Sequence, residues 1–372
     1  MLLKNCNALV FDKSLKKYRF KIKDILIKNG KVAKIDDEIT GDNLMTVIDM
    51  KGKYVTPGFV EPHCQVGLNE HGSGIMGKDV DESSEAVNLN CYALDAINML
   101  EKGFEDFRAS GITTAGIFPG NNNVIGGFGT VVKCCGSVVD QAVVKKNAGL
   151  KVSISNLSKK DSNIKNNAPI TRMGITALLK QTIFSSIHDG TDDMKEVIEG
   201  KLPIVVYCQR HDDIMTAIRF SKEYNLDYKL VGLADYQTVK TEILKEDKSF
   251  VVGPIMRYGD SEETRNRDVY TVLDEADMGS LGSLTTEHPV INGRYIGLQG
   301  GIAVQNGLDY YKALECLTIN PARFLNIDDQ VGSLEVGKDG DIVVWSGLPL
   351  EPLTKVEMTF INGDIVFDGG VL

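Results

Sequence analysis

His63 and Gln65 stand two residues apart in Pro57-Gly58-Phe59-Val60-Glu61-Pro62-His63-Cys64-Gln65, a run that reads as a β-strand. Side chains at i and i+2 of a strand share a face, so both point at one place. Two imidazoles so placed could share a metal ion, whereas an imidazole and an amide supply one strong donor and one weak neutral oxygen. Alternation turns Cys64 outward from between them, and turns Cys208 outward from between Tyr207 and Gln209. Glu287, in Thr285-Thr286-Glu287-His288-Pro289, brings a carboxylate able to move a proton or touch a cation, and His288 faces the other way. Only five histidines are present: His63, His71, His188, His211 and His288. His71 lies in a loop, His188 in a polar stretch that reads as surface, and His211 among charges at a helix start. Asp79, Asp81 and Glu82 form an acidic cluster, either a solvated loop face or a seat for a cationic group. Arg172 and Arg210 either pair with protein acids or clamp a substrate carboxylate.

The 372 residues suffice for one large domain and a smaller one. Hydrophobic residues at 42% and charged ones at 25% suit a soluble globular chain. A net charge of −10 with no basic run argues against nucleic acid or an anionic membrane as partner. Seven cysteines without paired spacing suggest free thiols in a reducing compartment. Lys4 makes the N-terminus polar too early for a signal peptide, and no apolar run approaches ~18 residues, so a cytoplasmic location is expected.

The elements that must position these groups change in texture along the chain. Asp24–Lys28 alternates into Asn29-Gly30 and on to Lys31–Ile35, a hairpin signature. The far end repeats the pattern, with Asp341–Trp345 and then Met358–Ile361 turning at Asn362-Gly363 into Asp364–Phe367. Between these ends, short apolar runs alternate with helix-length segments. The spacing predicts a helix over Tyr92–Ser110 and then a strand over Thr113–Phe118. Strands follow at Ile204–Tyr207, Tyr228–Val231 and Phe250–Val252, with helices over Asp212–Tyr224 and Tyr236–Lys245. Alternating β and α over this length points to a parallel sheet with helical crossovers, either a (β/α) barrel or an open doubly wound sheet.

Several of these segments together resemble the amidohydrolase superfamily, in particular its imidazolonepropionase-like branch. Val55–His63 resembles that family's first barrel strand; Asp79–Glu82 and Ala93–Asn98 its following loop and helix. Gly111–Thr114, Pro119-Gly120 and Ile125–Gly129 resemble the next strand and a glycine loop on the substrate side near Lys133. Pro169–Gly174, Arg210–Ile214, Thr318–Arg323 and Val331–Asp341 complete the set. The resemblance implies an α/β fold: a (β/α)8 TIM-like barrel over residues 57–330, with a small β-sandwich formed by residues 1–56 and 331–372. It implies hydrolysis of C–N bonds, often in cyclic amides, by metal-activated water.

Position by position, the resemblance also implies a degenerate metal centre. His63 matches the first ligand and Glu287 stands for the catalytic aspartate, which leaves these two as catalytic groups and as the remnant of a metal site. The other ligand positions fall on Gln65, Asn156, Tyr207, Gln209 and Val231. Valine ligates nothing and amides compete poorly with water, so no fully occupied cofactor is expected, and at most one weakly held divalent ion such as zinc. Arg172, Arg210, Asp79 and Glu82 are the expected substrate-binding residues. The expected partners are a small-molecule ligand or substrate and further copies of the chain in a homo-oligomer. A catalytically silent binding or scaffold protein is the alternative to a hydrolase.

Overall fold

A computed structural model describes residues 1–41, 44–159, 169–257, 259, 261–267 and 281–370. Both chain ends enter one eight-stranded sheet. Its N-terminal strands are β1 (Leu2–Asp12), β2 (Lys17–Lys28), β3 (Lys31–Asp36), β4 (Val47–Asp49) and β5 (Tyr54–Pro57). Its C-terminal strands are β14 (Ile342–Trp345), β15 (Val356–Ile361) and β16 (Asp364–Asp368). The order is β16-β15-β14-β5-β1-β2-β3, with β4 beside β1, so the two ends meet where β5 pairs antiparallel with β14. Both expected Asn-Gly turns form, Asn29 and Gly30 at φ 52° and 77°, Asn362 and Gly363 at 51° and 79°. Leu3, Ile25, Val55, Val344 and Phe360 share the buried core of this sheet.

Gly58 carries the chain from β5 into the second sheet, where an added Cβ would stand 2.1 Å from Thr113 Oγ1. The strands there are β6 (Phe59–Cys64), β7 (Ile112–Ile117), β8 (Ile125–Lys133), β9 (Val143–Ser153), β10 (Ile204–Cys208), β11 (Tyr228–Gly232), β12 (Phe250–Val252) and β13 (Gly282–Leu284). They pair in chain order into a nearly closed barrel. At the remaining gap the backbone of Cys316 and Leu317 bonds to Leu284 and Val60. Higher up, Glu61 accepts from the hydroxyls of Thr285 and Thr286 and from the Thr286 N–H, tying β6 to the chain beyond β13. Val60, Val131, Val205, Tyr207, Val231 and Val251 pack inward, with Phe324 and Leu325 among them. Helices Lys102–Ala109, Arg172–Asp189, His211–Glu223 and Tyr236–Lys245 intervene between strands.

Three expectations change. The sheet is not wholly parallel, because β8 runs antiparallel to both β7 and β9. Antiparallel neighbours need only a short loop, which removes the helical crossovers on either side of β8. The glycine run lies inside β8 and is buried; at Gly129 a Cβ would stand 2.2 Å from the Phe118 ring, so the glycine serves packing. Lys133 ends that strand in ion pairs of 2.8 Å with Asp339 and Asp341. The helix expected over Tyr92–Ser110 is interrupted. A single turn at Ala93–Ala96 stops at extended Ile97, Asn98 Oδ1 accepts from Leu100 N, and Glu101 caps a new helix at Lys102. Local capping by Asn and Glu there outcompetes helical periodicity.

Candidate functional site

Lys151 is the centre of the barrel mouth. On β9 its neighbours Leu150 and Val152 pack into the outer core, so alternation sends the lysine inward, where it is fully buried. Its Nζ donates to Asn121 Oδ1 at 2.6 Å and lies 4.9 Å from the centre of the Tyr207 ring. Burial brings the ammonium pKa down to about 7, although Glu287 and Asp81 oppose the shift. His63 stacks on Phe118 with ring centres 5.3 Å apart. Burial, and then the positive charge of Lys151, holds its imidazole well below the usual histidine range, so it is neutral. Among the described residues neither of its ring nitrogens has a hydrogen-bond partner.

Glu287 follows β13 in the left-handed region at φ 48°, held by a bond from its N–H to Thr285 Oγ1 at 2.8 Å. One carboxylate oxygen accepts from Asn121 Nδ2 at 3.0 Å; the other is buried without a partner among the described residues. Burial raises its pKa, against the pull of Arg267, Lys151 and Arg257. Asn121 therefore bridges Lys151 and Glu287. The loop that presents it is fixed by Asp81, whose carboxylate accepts from Asn122 N at 3.0 Å and Nδ2 at 2.8 Å. Beneath the site Glu61 is fully buried, its pKa raised to about 7 by desolvation despite four donors, the His63 N–H among them.

The expected ligand positions hold no converging donor set. Tyr207 and Val231 face the interior, Val231 as packing against its apolar neighbours. Gln65 is buried, with its Nε2 unbonded among the described residues. Gln209 Oε1 accepts from Ala234 N at 3.1 Å and Arg267 at 2.9 Å. Asn156 donates its backbone N–H to Glu263. Among the described residues no group of three or more His, Cys, Asp or Glu side chains could hold a metal ion. A lysine ammonium at the centre, flanked by amides and a valine, does not fit a two-cation site.

Arg172 meets Asp213 through two bonds of 2.6 and 3.0 Å and Glu263 at 3.0 Å. Arg210 meets Asp212 and Glu262 at 2.8–2.9 Å. Both arginines thus grip residues 261–267, the segment that carries Arg267 to the barrel mouth. Asn266 adds a 2.8 Å bond to Asp235, which also accepts from the His211 ring at 3.0 Å. Asp79 and Glu82 line a separate cavity of about 420 Å³ with Asp81, Asp95 and Tyr92. Cys64 and Cys208 belong to the outer core. His288 also turns outward, its ring edge-on to Phe107. His71 lies 3.7 Å from Glu101, and the His188 side chain falls outside the described residues.

Lys151, Asn121, Arg267 and Glu61 are the site residues that motif reasoning passed over. Lys151 carried a visible signal, a lone charge in the apolar run Leu150–Val152 of a strand buried on both faces. Asn121 and Arg267 carried none, because long-range packing alone brings them in.

A profile of the amidohydrolase family matches residues 54–366. Amidohydrolase tasK of Hapsidospora irregularis is 21% identical over 396 residues, covering 94% of this chain but 40% of its own length. A dihydroorotase of Elusimicrobium minutum is 28% identical and covers 94% of each chain. The crystal structure of an amidohydrolase from Thermotoga maritima MSB8 superimposes with a TM-score of 0.92 at 30% identity, covering 99% of both chains. A Xaa-Pro dipeptidase structure with bound methionine, at 14% identity and a TM-score of 0.64, shares the fold alone. The match begins on the strand that feeds the barrel and ends on the last strand of the terminal sheet, and this chain belongs to the amidohydrolase family.

Proposed function

We propose that the protein hydrolyses a C–N bond of a small polar molecule at the barrel mouth, without a two-metal centre. The observation that carries this is the Glu287–Asn121–Lys151 chain, a buried carboxylate held by one amide to a buried amine. Glu287 takes a proton from water as the water oxygen bonds to the acyl carbon. The same proton then passes to the nitrogen as the C–N bond breaks. Lys151, acting through space and through Asn121, favours the ionised carboxylate of Glu287 against the rise that burial imposes. The dihydroorotase kinship supports a C–N bond as target. We read the terminal sheet as a small accessory domain. We keep homo-oligomeric assembly as part of the proposal, and a reducing compartment, which seven free cysteines support.

Val231 and Gln65 favour a second reading, a silent relative that binds a ligand or serves as an oligomeric scaffold. Turnover separates the two. Dihydropyrimidines, hydantoins, N-acyl amino acids and dipeptides are assayed with and without chelator. Chelator-insensitive hydrolysis that falls on the order of 10²–10⁴-fold in Glu287→Gln supports the proposal. Activity abolished by chelator and restored by zinc overturns the metal-free centre, and a panel with no turnover favours the scaffold.

A further inference from the structure

Helix Arg172–Asp189 is apolar on two faces, where a helix lying on a barrel needs only one. Ile175, Leu179 and Ile183 are buried in the outer core. On another side Met173 is 79% exposed, Phe184 65% and Ile187 55%, with Ala177 exposed between them. With Lys180 these residues recur at alternate steps of four and three, the spacing of a seam between two packed helices. The seam runs about 21 Å along the helix at its ordinary rise. Its four apolar side chains present about 500 Å² of surface, so two copies face to face would bury about 1,000 Å², enough for a specific interface.

Charge and shape both point to a second copy as what covers it. Each chain carries −10, so two copies meet at least cost where the surface is neutral. Lys180, at the middle of the seam, bonds both Glu223 oxygens at 2.7 Å and enters a contact already neutralised. Parallel copies would set Phe184 on Phe184 and Lys180 on Lys180. Antiparallel copies about a two-fold axis near residues 178–179 set Met173 against Phe184, a favourable thioether–aromatic pair, and the small Ala177 against the stem of Lys180.

We infer that helix Arg172–Asp189 is the two-fold contact of a homodimer, packed antiparallel on its own copy. The inference rests on the homo-oligomeric reading above and gives it a surface and a register. Arg172 begins the same helix and bonds Glu263, so the contact and the segment beside the barrel mouth share one rigid element.

Analytical ultracentrifugation of the full chain over a range of concentrations tests this. The wild type is expected to sediment as a dimer. Met173→Glu and Phe184→Lys each put a charge into the seam twice, once per copy, and are expected to weaken self-association about 100-fold or more. The variant carrying both changes sets opposite charges across the antiparallel contact and is expected to restore the dimer. Circular dichroism checks folding; if either single variant unfolds, Ala177→Glu takes its place. A monomeric wild type overturns this inference and the homo-oligomeric reading together. A dimer unmoved by the single variants overturns the helix as its surface and leaves that reading standing. A double variant that stays monomeric overturns the antiparallel register. The hydrolase reading is decided separately, by turnover with and without chelator.

Discussion

Asn121 donates to Glu287 at 3.0 Å and accepts from Lys151 at 2.6 Å, so one planar amide in one orientation serves both groups. Neither charged partner supplies that orientation for the other. The pair depends on the loop that Asp81 fixes.

Asn121→Ala removes a hydrogen bond that lowers the Glu287 pKa, so the carboxyl titrates at higher pH. The acid limb of kcat against pH is expected to move upward, with kcat at its plateau reduced about 10-fold, at the low end of acid–base contributions. An unshifted limb with a lowered plateau would assign Asn121 to substrate contact instead.

Lys151→Met is expected to stabilise the protein. The folded lysine titrates near 7 against an ordinary 10.5, so between those values the unfolded chain binds more protons and stability rises with pH. One group protonated only in the unfolded state contributes a slope approaching about 1.4 kcal/mol per pH unit. Lys229, also lowered to about 7 by burial, supplies a second such slope. The methionine variant removes one of the two, so its gain is greatest below pH 7 and fades toward 10.5. Urea denaturation across that window checks it; parallel curves for the two proteins contradict the buried position of the amine.

The terminal hairpins, most barrel strands and two full helices were legible because their signals are local. Asn-Gly turns, apolar runs and 3.6-residue periodicity act within a few residues. The reversal of β8 was not legible. Strand direction follows from which neighbours pair, and Ile125–Lys133 is apolar enough to lie either way in a sheet buried on both faces. The outward turn of Cys64 and Cys208 followed from alternation alone. The site was legible as places rather than as partners. His63, Glu287 and the substituted positions could be named, but the Asn121 bridge joins segments remote in sequence, and no periodicity reports it.

Glu61→Gln is expected to flatten stability on the acid side. The folded carboxyl titrates near 7 against an ordinary 4.5, so the folded state holds a proton that the unfolded chain releases, and wild-type stability falls as pH rises through that interval. The glutamine cannot ionise and loses this fall. Glu61→Ala, by contrast, strands Thr285 and Thr286 and opens the β6–β13 seam, at a cost of about 2–4 kcal/mol at every pH. Thermal melts of both variants from acid to neutral pH distinguish a titrating group from a packing one.

Arg172→Met leaves Asp213 and Glu263 nearly buried without their shared cation. Arg172 is itself 27% exposed, so water softens the loss, and a destabilisation of about 1–3 kcal/mol is expected. The sharper consequence is local. Residues 261–267 keep the Arg210–Glu262 and Asn266–Asp235 contacts but lose the innermost one. Amide exchange in that segment should rise well beyond that in the barrel strands. If exchange stays flat, the segment is seated by other contacts and Arg172 is no brace.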